Sequence, residues 1–396
     1  MEKSKRHLTS EEALLMAPNI CILKLTRLII PEKKLEKVIA IVIHEIITFF
    51  VLTQFIDLFM SINLDMALTN LKTTMFSGIC VFKSNSILIW QESWISIINY
   101  VTKSHNIERR TANPRRQQII NSITKYCHRM TKMYWVLVMI TAFTTISGPL
   151  IKYLTFKSLR EDIHNGVEPF PHIVNSWMPV DKDKSPGCWI TMVWQVIICS
   201  CGTTLVMSYD ACAIVLMVYF GGQQDLLRDR CKELFGQSGI GVDDNEFYVK
   251  LREIHHIHIL HVKYTRLFNS VLSPVMFVYI VICSVMLCAS AYQITKATDT
   301  SQVLFLSNYL VFGIAQLLIF CWHSNDALTK NEDLPYGLYE SGWWAANIKQ
   351  RKAIMILKEQ LKTKQVFSAG PFTSLTLSTF VTTLKGAYSY WTLIKK

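Results

Sequence analysis

Hydrophobic residues along the chain gather into seven long runs that are separated by polar stretches. Each run holds about 20 or more mainly apolar positions, the length that an α-helix needs to cross a bilayer. Lys72 and Lys83 interrupt the second run and make it the weakest. The pattern predicts an all-α protein that forms a single seven-helix transmembrane domain over residues 1–396. The predicted spans are 38–60, 68–90, 133–156, 189–220, 264–292, 302–325 and 371–394.

The composition agrees with a membrane protein. Of the 396 residues, 51% are hydrophobic and only 18% are charged, whereas soluble globular chains average about 25% charged residues. This argues against a soluble enzyme, a disordered protein and a disulfide-rich secreted domain. Most of the eleven cysteines lie inside apolar runs, and the closest pair, Cys199 and Cys201, lacks the spacing of a zinc knuckle. We therefore expect buried, apolar cysteines.

The basic residues indicate the orientation of the chain in the membrane. The net charge is +12, which could also indicate a nucleic-acid partner. With the N-terminus inside, the predicted cytoplasmic segments hold 28 Lys and Arg, and the predicted outer segments hold 7. The positive-inside rule then predicts a cytoplasmic N-terminus and an extracellular C-terminus, an inverted topology. The excess is mainly a topology signal, so we expect no nucleic-acid partner and expect segment 326–370 to be cytoplasmic.

Motifs for catalysis or metal binding are incomplete. His44 and Glu45 begin a zinc-protease pattern, but Thr48 stands where the second histidine ligand belongs. His255, His258 and His261 share one helix stripe, with no acidic residue or cysteine placed to complete a metal shell, so a solvated cytoplasmic helix is the simpler interpretation. No phosphate loop, nucleophile elbow or carboxylate pair is present. We expect no enzyme activity, no cofactor and no metal.

Polar residues within the predicted spans are candidates for function. Asp210 lies in the inner part of the fourth span. The last helix carries a polar stripe, and this stripe must face protein or water. It fits either tight helix packing through small residues or the wall of a water-filled pore. The stripe comprises Thr376, Thr379, Thr383, Gly386, Ser389 and Leu393.

Several motifs together resemble those of insect odorant receptors, specifically the tuning subunits. The C-terminal helix, which includes Phe380 and the stretch Tyr388-Ser389-Tyr390, is similar to the last helix of that family. The pair Tyr209-Asp210 and the inverted topology are also shared. The end of the sixth span and the segment after it add Gln316-Leu317-Leu318, Cys321-Trp322, Ser341 and Trp343-Trp344.

The resemblance implies an odorant-gated, non-selective cation channel in the plasma membrane of sensory-neuron dendrites. Four subunits, including the odorant receptor co-receptor, would surround a central pore, with 326–370 in the cytoplasmic anchor between subunits. Leu393 corresponds to a hydrophobic gate position. The pore residues that we expect in this chain are Thr382, Gly386, Ser389 and Leu393.

The resemblance also implies a pocket for a volatile small molecule in the outer half of the subunit. We place the pocket residues by their depth and helical facing, because no motif marks them. The second, third, fourth and sixth helices contribute. The candidates are Leu71, Met75, Thr141, Thr145, Gly148, Trp194, Ile197, Leu306, Tyr309 and Leu310.

Three other classes of membrane protein compete with this interpretation. A gustatory receptor channel of the same superfamily ends its last helix differently. A G-protein-coupled chemoreceptor requires an outside N-terminus, which the distribution of basic residues opposes. A transporter would show inverted repeats or broken helix pairs, and the sequence contains neither.

Overall fold

The computed structural model is a bundle of long α-helices with one short β-hairpin. It describes residues 14–29, 33–60, 64–236, 243–296 and 300–395, except for the side chains of 64–66, 68, 69, 300–302, 305, 390 and 393–395. The helices in chain order are α1 (Ala17–Leu25), α2 (Lys34–Met60), α3 (Leu64–Ile89), α4 (Gln91–Arg109), α5 (Pro114–Thr155), α6 (Lys157–His164), α7 (Gly187–Lys232), α8 (Asp244–Lys296), α9 (Thr300–Asp333), α10 (Tyr336–Tyr339), α11 (Ile348–Leu361) and α12 (Leu377–Lys395).

The first six predicted spans lie in helices to within one residue, whereas residues 371–376 of the seventh belong to the β-hairpin segment and its helix begins only at Leu377. Among the described residues, five helices are long and apolar enough to cross a membrane, namely α2, α5, α7, α8 and α9. The second and seventh predicted spans correspond to α3 and α12, which have 26 and 19 residues. The exact span boundaries stay a prediction.

Several helices are much longer than a membrane requires. The 53 residues of α8 extend about 80 Å, whereas the hydrocarbon core is about 30 Å thick. The excess lies at the N-terminal end of α8, next to the C-terminal end of α7. There a second hydrophobic cluster forms, separate from the main core, with α10 and α11 packed into it. It includes Leu227, Leu234, Phe247, Ile254, Leu334, Leu338, Leu357 and Leu361.

The packing of α8 against α7 corrects one sequence-based interpretation. The stripe of histidines on α8 was expected to be solvated, but His258 and His261 are buried. The Nε2 atom of His261 lies 3.0 Å from the side-chain nitrogen of Gln224 on α7. The wrong interpretation arises because polar side chains on a helix extension suggest solvent, whereas here neighbouring helices cover them.

The last helix is positioned by the hairpin before it. Strands β1 (Ser368–Ala369) and β2 (Thr373–Ser374) pair in an antiparallel arrangement. Gly370 makes the turn with a φ of 71°, a conformation that favours glycine. Its N–H donates to the carbonyl oxygen of Ser273 at 3.0 Å, which ties the hairpin to α8. Helix α12 therefore starts beside α8 and packs along α8 and α9.

The cytoplasmic helix α4 carries a buried histidine that we expect to make the protein acid-sensitive. The Thr124 hydroxyl donates to the carbonyl oxygen of Ile120, so Nε2–H of His105 donates to the Thr124 oxygen at 2.9 Å. Burial, aided by the charge of Arg109, lowers the pKa of His105 to about 4. In the unfolded chain His105 binds a proton near pH 6.5, whereas in the folded protein it does so only near pH 4. The free energy of unfolding therefore decreases as the pH falls from about 6.5 to about 4.

At pH 5 this linkage amounts to about 2 kcal/mol. We expect the purified protein to lose more thermal stability between pH 7 and pH 5 than the variant His105→Gln, whose side chain can still donate to Thr124 but does not titrate. The exposed His164 supplies the control His164→Gln. Equal acid sensitivity of His105→Gln and the unmodified chain would refute this assignment.

Candidate functional site

A cavity of about 100 Å³ lies between α2, α3, α5, α7 and α9, in the half of the bundle that the topology places outside. Most of its walls are apolar, with a few hydroxyl and amide groups from side chains such as Gln54, Thr73, Ser77 and Thr203. Apolar walls with few polar groups are typical of small-molecule pockets. The cavity therefore suits a small, mainly apolar molecule.

Aromatic rings form the inner wall of this cavity. The Phe76 ring on α3 meets the rings of Tyr309 and Phe312 on α9 edge to face, at centroid distances of 5.7 and 6.1 Å. On the facing side, the Sγ atom of Cys80 lies 3.2 Å from the carbonyl oxygen of Gly202 and connects α3 to α7. The cavity is thus bounded by rigid contacts between helices.

The loop before α7 covers the cavity as a lid. Its residue Val174 is part of the cavity wall. The buried side chain of Gln195 on α7 accepts from the Ile173 N–H at 3.0 Å and donates to the Val174 carbonyl oxygen at 2.7 Å. The Trp177 N–H donates to the Thr53 carbonyl oxygen at 3.2 Å and ties the loop to α2. Backbone hydrogen bonds to two helices therefore hold the lid.

Polar side chains at the outer edge fasten the lid further. The ammonium group of Lys182 in the loop lies 3.0 Å from Oδ1 of Asp57 on α2. The Asn70 amide on α3 donates to the other oxygen of Asp57 at 3.1 Å. Asn175 of the loop donates to Asn70. This polar edge links α2, α3 and the loop where the topology places the outer surface.

Deeper in the bundle, four polar side chains from four helices meet. Lys83 on α3 and Asp210 on α7 form an ion pair, with Nζ 2.7 Å from Oδ1, and both side chains are 1% exposed or less. The other oxygen of Asp210 accepts from the Tyr134 hydroxyl on α5 at 2.5 Å and from the Gln316 amide on α9 at 2.6 Å. The Lys83 ammonium also lies 4.5 Å from the ring centroid of Tyr279 on α8. We call Lys83, Asp210, Tyr134 and Gln316 the buried polar network.

The buried polar network lies next to the cavity. Phe76, Val206 and Phe312 line both the cavity and a smaller void of about 20 Å³ beside Lys83 and Gln316. A single layer of side chains therefore separates the cavity from a buried ion pair. A molecule that displaces Phe76 or Phe312 would press directly on the helices that hold the network.

Three of the ten predicted pocket residues line the cavity, namely Thr141, Thr145 and Tyr309. Trp194 and Ile197 instead lie on the exposed side of α7, where Ile198 and Cys199 face the cavity. On α3 the wall is made by Phe76, Ser77 and Cys80. The predicted residues outside the wall are Leu71, Met75, Gly148, Trp194, Ile197, Leu306 and Leu310. The ligand-binding role of all ten residues stays a prediction.

Helix α12 presents one face to the subunit and leaves another uncovered. Phe380, Leu384 and Ala387 pack against the core. Thr382 and Ser389 are exposed, and a Cβ atom added at Gly386 would meet no atom within 4 Å. The Leu393 side chain lies outside the described part of the structure. Three of the four predicted pore residues therefore lie away from the packed face, and the pore itself stays a prediction.

The structure offers no evident metal centre. In the described ranges, no group of three or more His, Cys, Asp and Glu side chains is placed to hold a metal ion. All eleven cysteines are free, and eight of them are buried. The chemistry of the site is therefore that of an apolar cavity next to a buried ion pair.

Comparison with known proteins gives a family match over most of the chain. Residues 63–388 match the family model described as 7tm Odorant receptor. In fold, the chain is similar to the insect olfactory receptor OR5 from Machilis hrabei, solved in complex with eugenol. The TM-score is 0.79 at 17% identity, covering 97% of this chain and 98% of that one.

Curated relatives match over shorter stretches. Odorant receptor Or2 of Anopheles gambiae is 20% identical over 221 residues, which are 55% of this chain and 58% of the relative. Odorant receptor 13a of Drosophila melanogaster is 24% identical over 302 residues, 69% of this chain and 68% of the relative. The matched stretch thus spans little more than half the length of Or2.

Proposed function

Because this chain belongs to the 7tm odorant receptor family, we propose that it is the odorant-binding subunit of a ligand-gated, non-selective cation channel. It is an all-α seven-transmembrane protein with inverted topology. The observation that carries the proposal is the lidded, mainly apolar cavity separated from the buried polar network by one layer of side chains.

The ligand that we propose is a small, largely apolar volatile molecule. The cavity volume of about 100 Å³ and the aromatic wall of Phe76, Tyr309 and Phe312 suit such a molecule. The similar structure of Machilis hrabei OR5 holds eugenol, a ligand of this general class. Hydroxyl groups such as Thr73 and Thr203 supply the few hydrogen bonds that orient it.

The route from the cavity to the pore would run through α9. This helix contributes Tyr309 and Phe312 to the cavity and Gln316 to the buried polar network. At the end of its predicted span it offers the Asn325 side-chain oxygen, which accepts from the Leu377 N–H at 3.5 Å at the start of α12. A shift of α9 would therefore move the helix whose uncovered face we propose as the pore wall.

Partners and location follow from the same proposal. We infer that the chain assembles with the odorant receptor co-receptor in a heterotetramer in the plasma membrane of sensory-neuron dendrites. The uncovered face of α12 and the exposed side of α11, which covers the buried cytoplasmic cluster, are the surfaces that would meet other subunits.

The proposal is tested by recording currents from cells that express this chain with and without the co-receptor. We expect an odorant panel to evoke a cation current in the co-expressing cells, and this current should survive inhibition of G-protein signalling. Loss of the current under that inhibition would instead favour a G-protein-coupled chemoreceptor.

The same recordings test the pore face. Replacing the exposed Ser389 with lysine places a positive charge on the proposed pore wall, so the single-channel conductance for cations should fall. The control is Tyr388→Lys, one position away and turned by about 100° around the helix. Unchanged conductance in Ser389→Lys would reassign this face to packing against a neighbouring subunit.

A further inference from the structure

Basic side chains gather where α5 meets the membrane on the cytoplasmic side. Lys125, Arg129 and Lys132 recur at four and three residues, so they share one helix face, and all three are exposed. We call them the boundary cluster. Directly beyond them on α5, Met133 and Val136 are apolar and 49% and 58% exposed. The exposed surface of α5 thus changes from positive to apolar within one helical turn.

Among the described residues, none neutralises the positive charge of the boundary cluster. At the start of the same helix, Arg115 lies 2.8 Å from a carboxylate oxygen of Asp229, and Arg116 pairs with Asp229 and Glu233. By contrast, no ion pair between described residues includes a member of the boundary cluster. Three lysine and arginine charges are therefore available to an anion.

The boundary cluster lines a shallow, open groove between α5 and Leu14. The groove has a volume of about 840 Å³, and Leu14, just before α1, forms its far wall. The His128 ring nitrogen Nε2 lies 2.9 Å from the Leu14 carbonyl oxygen, and Asn19 donates to the Thr131 hydroxyl at 3.5 Å. These contacts hold α1 against α5 at the level of the cluster. Thr124 closes the polar end of the groove, and Met133 and Val136 form its apolar end.

We propose that this groove binds the headgroup of an anionic phospholipid from the cytoplasmic leaflet. The phosphate groups lie among the boundary cluster, and the acyl chains run along Met133 and Val136. A phospholipid joins a negative head to apolar chains, and the groove joins a positive end to an apolar end at the predicted membrane boundary. Basic pockets between helices at the cytoplasmic surface bind anionic headgroups in this way. The inference rests on the inverted topology and is independent of the odorant cavity.

A second group of basic residues provides a matched comparison. Lys103, Arg109 and Arg110 at the end of α4 are exposed, and no ion pair between described residues includes them. We call them the distal cluster. The 18 residues of α5 between Pro114 and Lys132 place Arg109 and Arg110, which directly precede α5, roughly 27 Å from the membrane boundary, and Lys103 lies roughly 9 Å from Arg109 along α4. Changing each member of a cluster to glutamine removes three positive charges in either case.

The experiment measures binding of a fluorescent dioctanoyl phosphatidylinositol bisphosphate to the purified full-length chain by anisotropy. Each basic residue near an anionic lipid surface is worth about fivefold in affinity, so the boundary-cluster triple variant should bind on the order of 100-fold more weakly. The distal-cluster triple variant should bind as the unmodified chain does. The thermal stability of both triple variants is measured to confirm that they fold. If the boundary-cluster triple variant misfolds, the single variant Arg129→Gln replaces it, with an expected loss of lipid-binding affinity of about fivefold.

Competitors distinguish a membrane lipid from a free anion. Unlabelled dioctanoyl phosphatidylinositol bisphosphate should displace the probe, and the zwitterionic dioctanoyl phosphatidylcholine should not. Inositol trisphosphate lacks acyl chains and should compete at least about tenfold more weakly. Equal competition by inositol trisphosphate would identify a site for soluble anions and overturn the proposal. Undiminished binding to the boundary-cluster variants would overturn it as well.

Discussion

Replacing Lys83 with methionine should lower the free energy of unfolding by about 3–5 kcal/mol. The substitution keeps much of the side-chain volume but leaves the Asp210 carboxylate without its cation in a fully buried position. Tyr134 and Gln316 still donate to Asp210, but neutral donors do not replace a positive charge. We expect a markedly lower melting temperature for the purified variant and less receptor at the cell surface.

A second substitution should rescue much of this loss. In the double variant Lys83→Met with Asp210→Asn, the unpaired charge disappears, and the asparagine oxygen can still accept from Tyr134 and Gln316. The control is Lys152→Met, an exposed lysine on α5, which should change stability by no more than about 0.5 kcal/mol. A Lys83→Met variant as stable as the unmodified chain, or a double variant less stable than Lys83→Met, would contradict this description of the buried polar network.

Replacing Ala142 with tryptophan should abolish the response to odorants without unfolding the protein. Ala142 lies on α5 in the cavity wall, and an indole ring there would occupy the space of about 100 Å³ that we assign to the ligand. A single methylene changes the affinity of a pocket for its ligand by about 10–200-fold. A whole indole ring should therefore raise the odorant concentration needed for a half-maximal current by at least that factor. The control is Phe143→Trp at the next position, where the side chain is 70% exposed and points away from the cavity.

The membrane helices could be predicted from the sequence because lipid imposes a simple rule. A helix that crosses the bilayer needs a long apolar run, and each predicted span overlaps a long helix of the structure, although the start of the seventh falls in the hairpin before α12. The cytoplasmic extensions of α7 and α8 are less apparent, since a polar helix end looks like a loop or a solvated helix. Only the packing of α8 against α7, where His261 contacts Phe220 and Gln224, shows that such residues are buried.

The facing of the helices could not be predicted reliably. Trp194 and Ile197 are apolar and have suitable depth, but they lie on the exposed side of α7, and Ile198 and Cys199 face the cavity. In a membrane protein, lipid-facing and cavity-facing positions are both apolar, so hydrophobic periodicity does not distinguish them. Thr141 and Thr145, chosen in the same way by depth and helical facing, do line the cavity, and their ligand-binding role stays a prediction.

The pairing of Lys83 with Asp210 was missed, although the sequence contained a signal for it. In the hydrophobic pattern Lys83 is only an interruption of the weakest span, and Asp210 is an isolated charge in another span. Oppositely charged side chains within transmembrane spans form ion pairs, because an unpaired charge in lipid has a high free-energy cost. Tyr209-Asp210 and Gln316, two separate features of the family resemblance, meet in this network, which gives them a shared structural role.

The most direct test of the account is the odorant-evoked current in excised inside-out patches perfused with GTP-free solution. The patches come from cells that express the co-receptor with the unmodified chain, with Ala142→Trp or with Phe143→Trp. The account predicts that odorant opens cation channels with the unmodified chain and with Phe143→Trp, and fails to do so with Ala142→Trp. A current that disappears when GTP is removed, or an Ala142→Trp channel with unchanged odorant sensitivity, would contradict it.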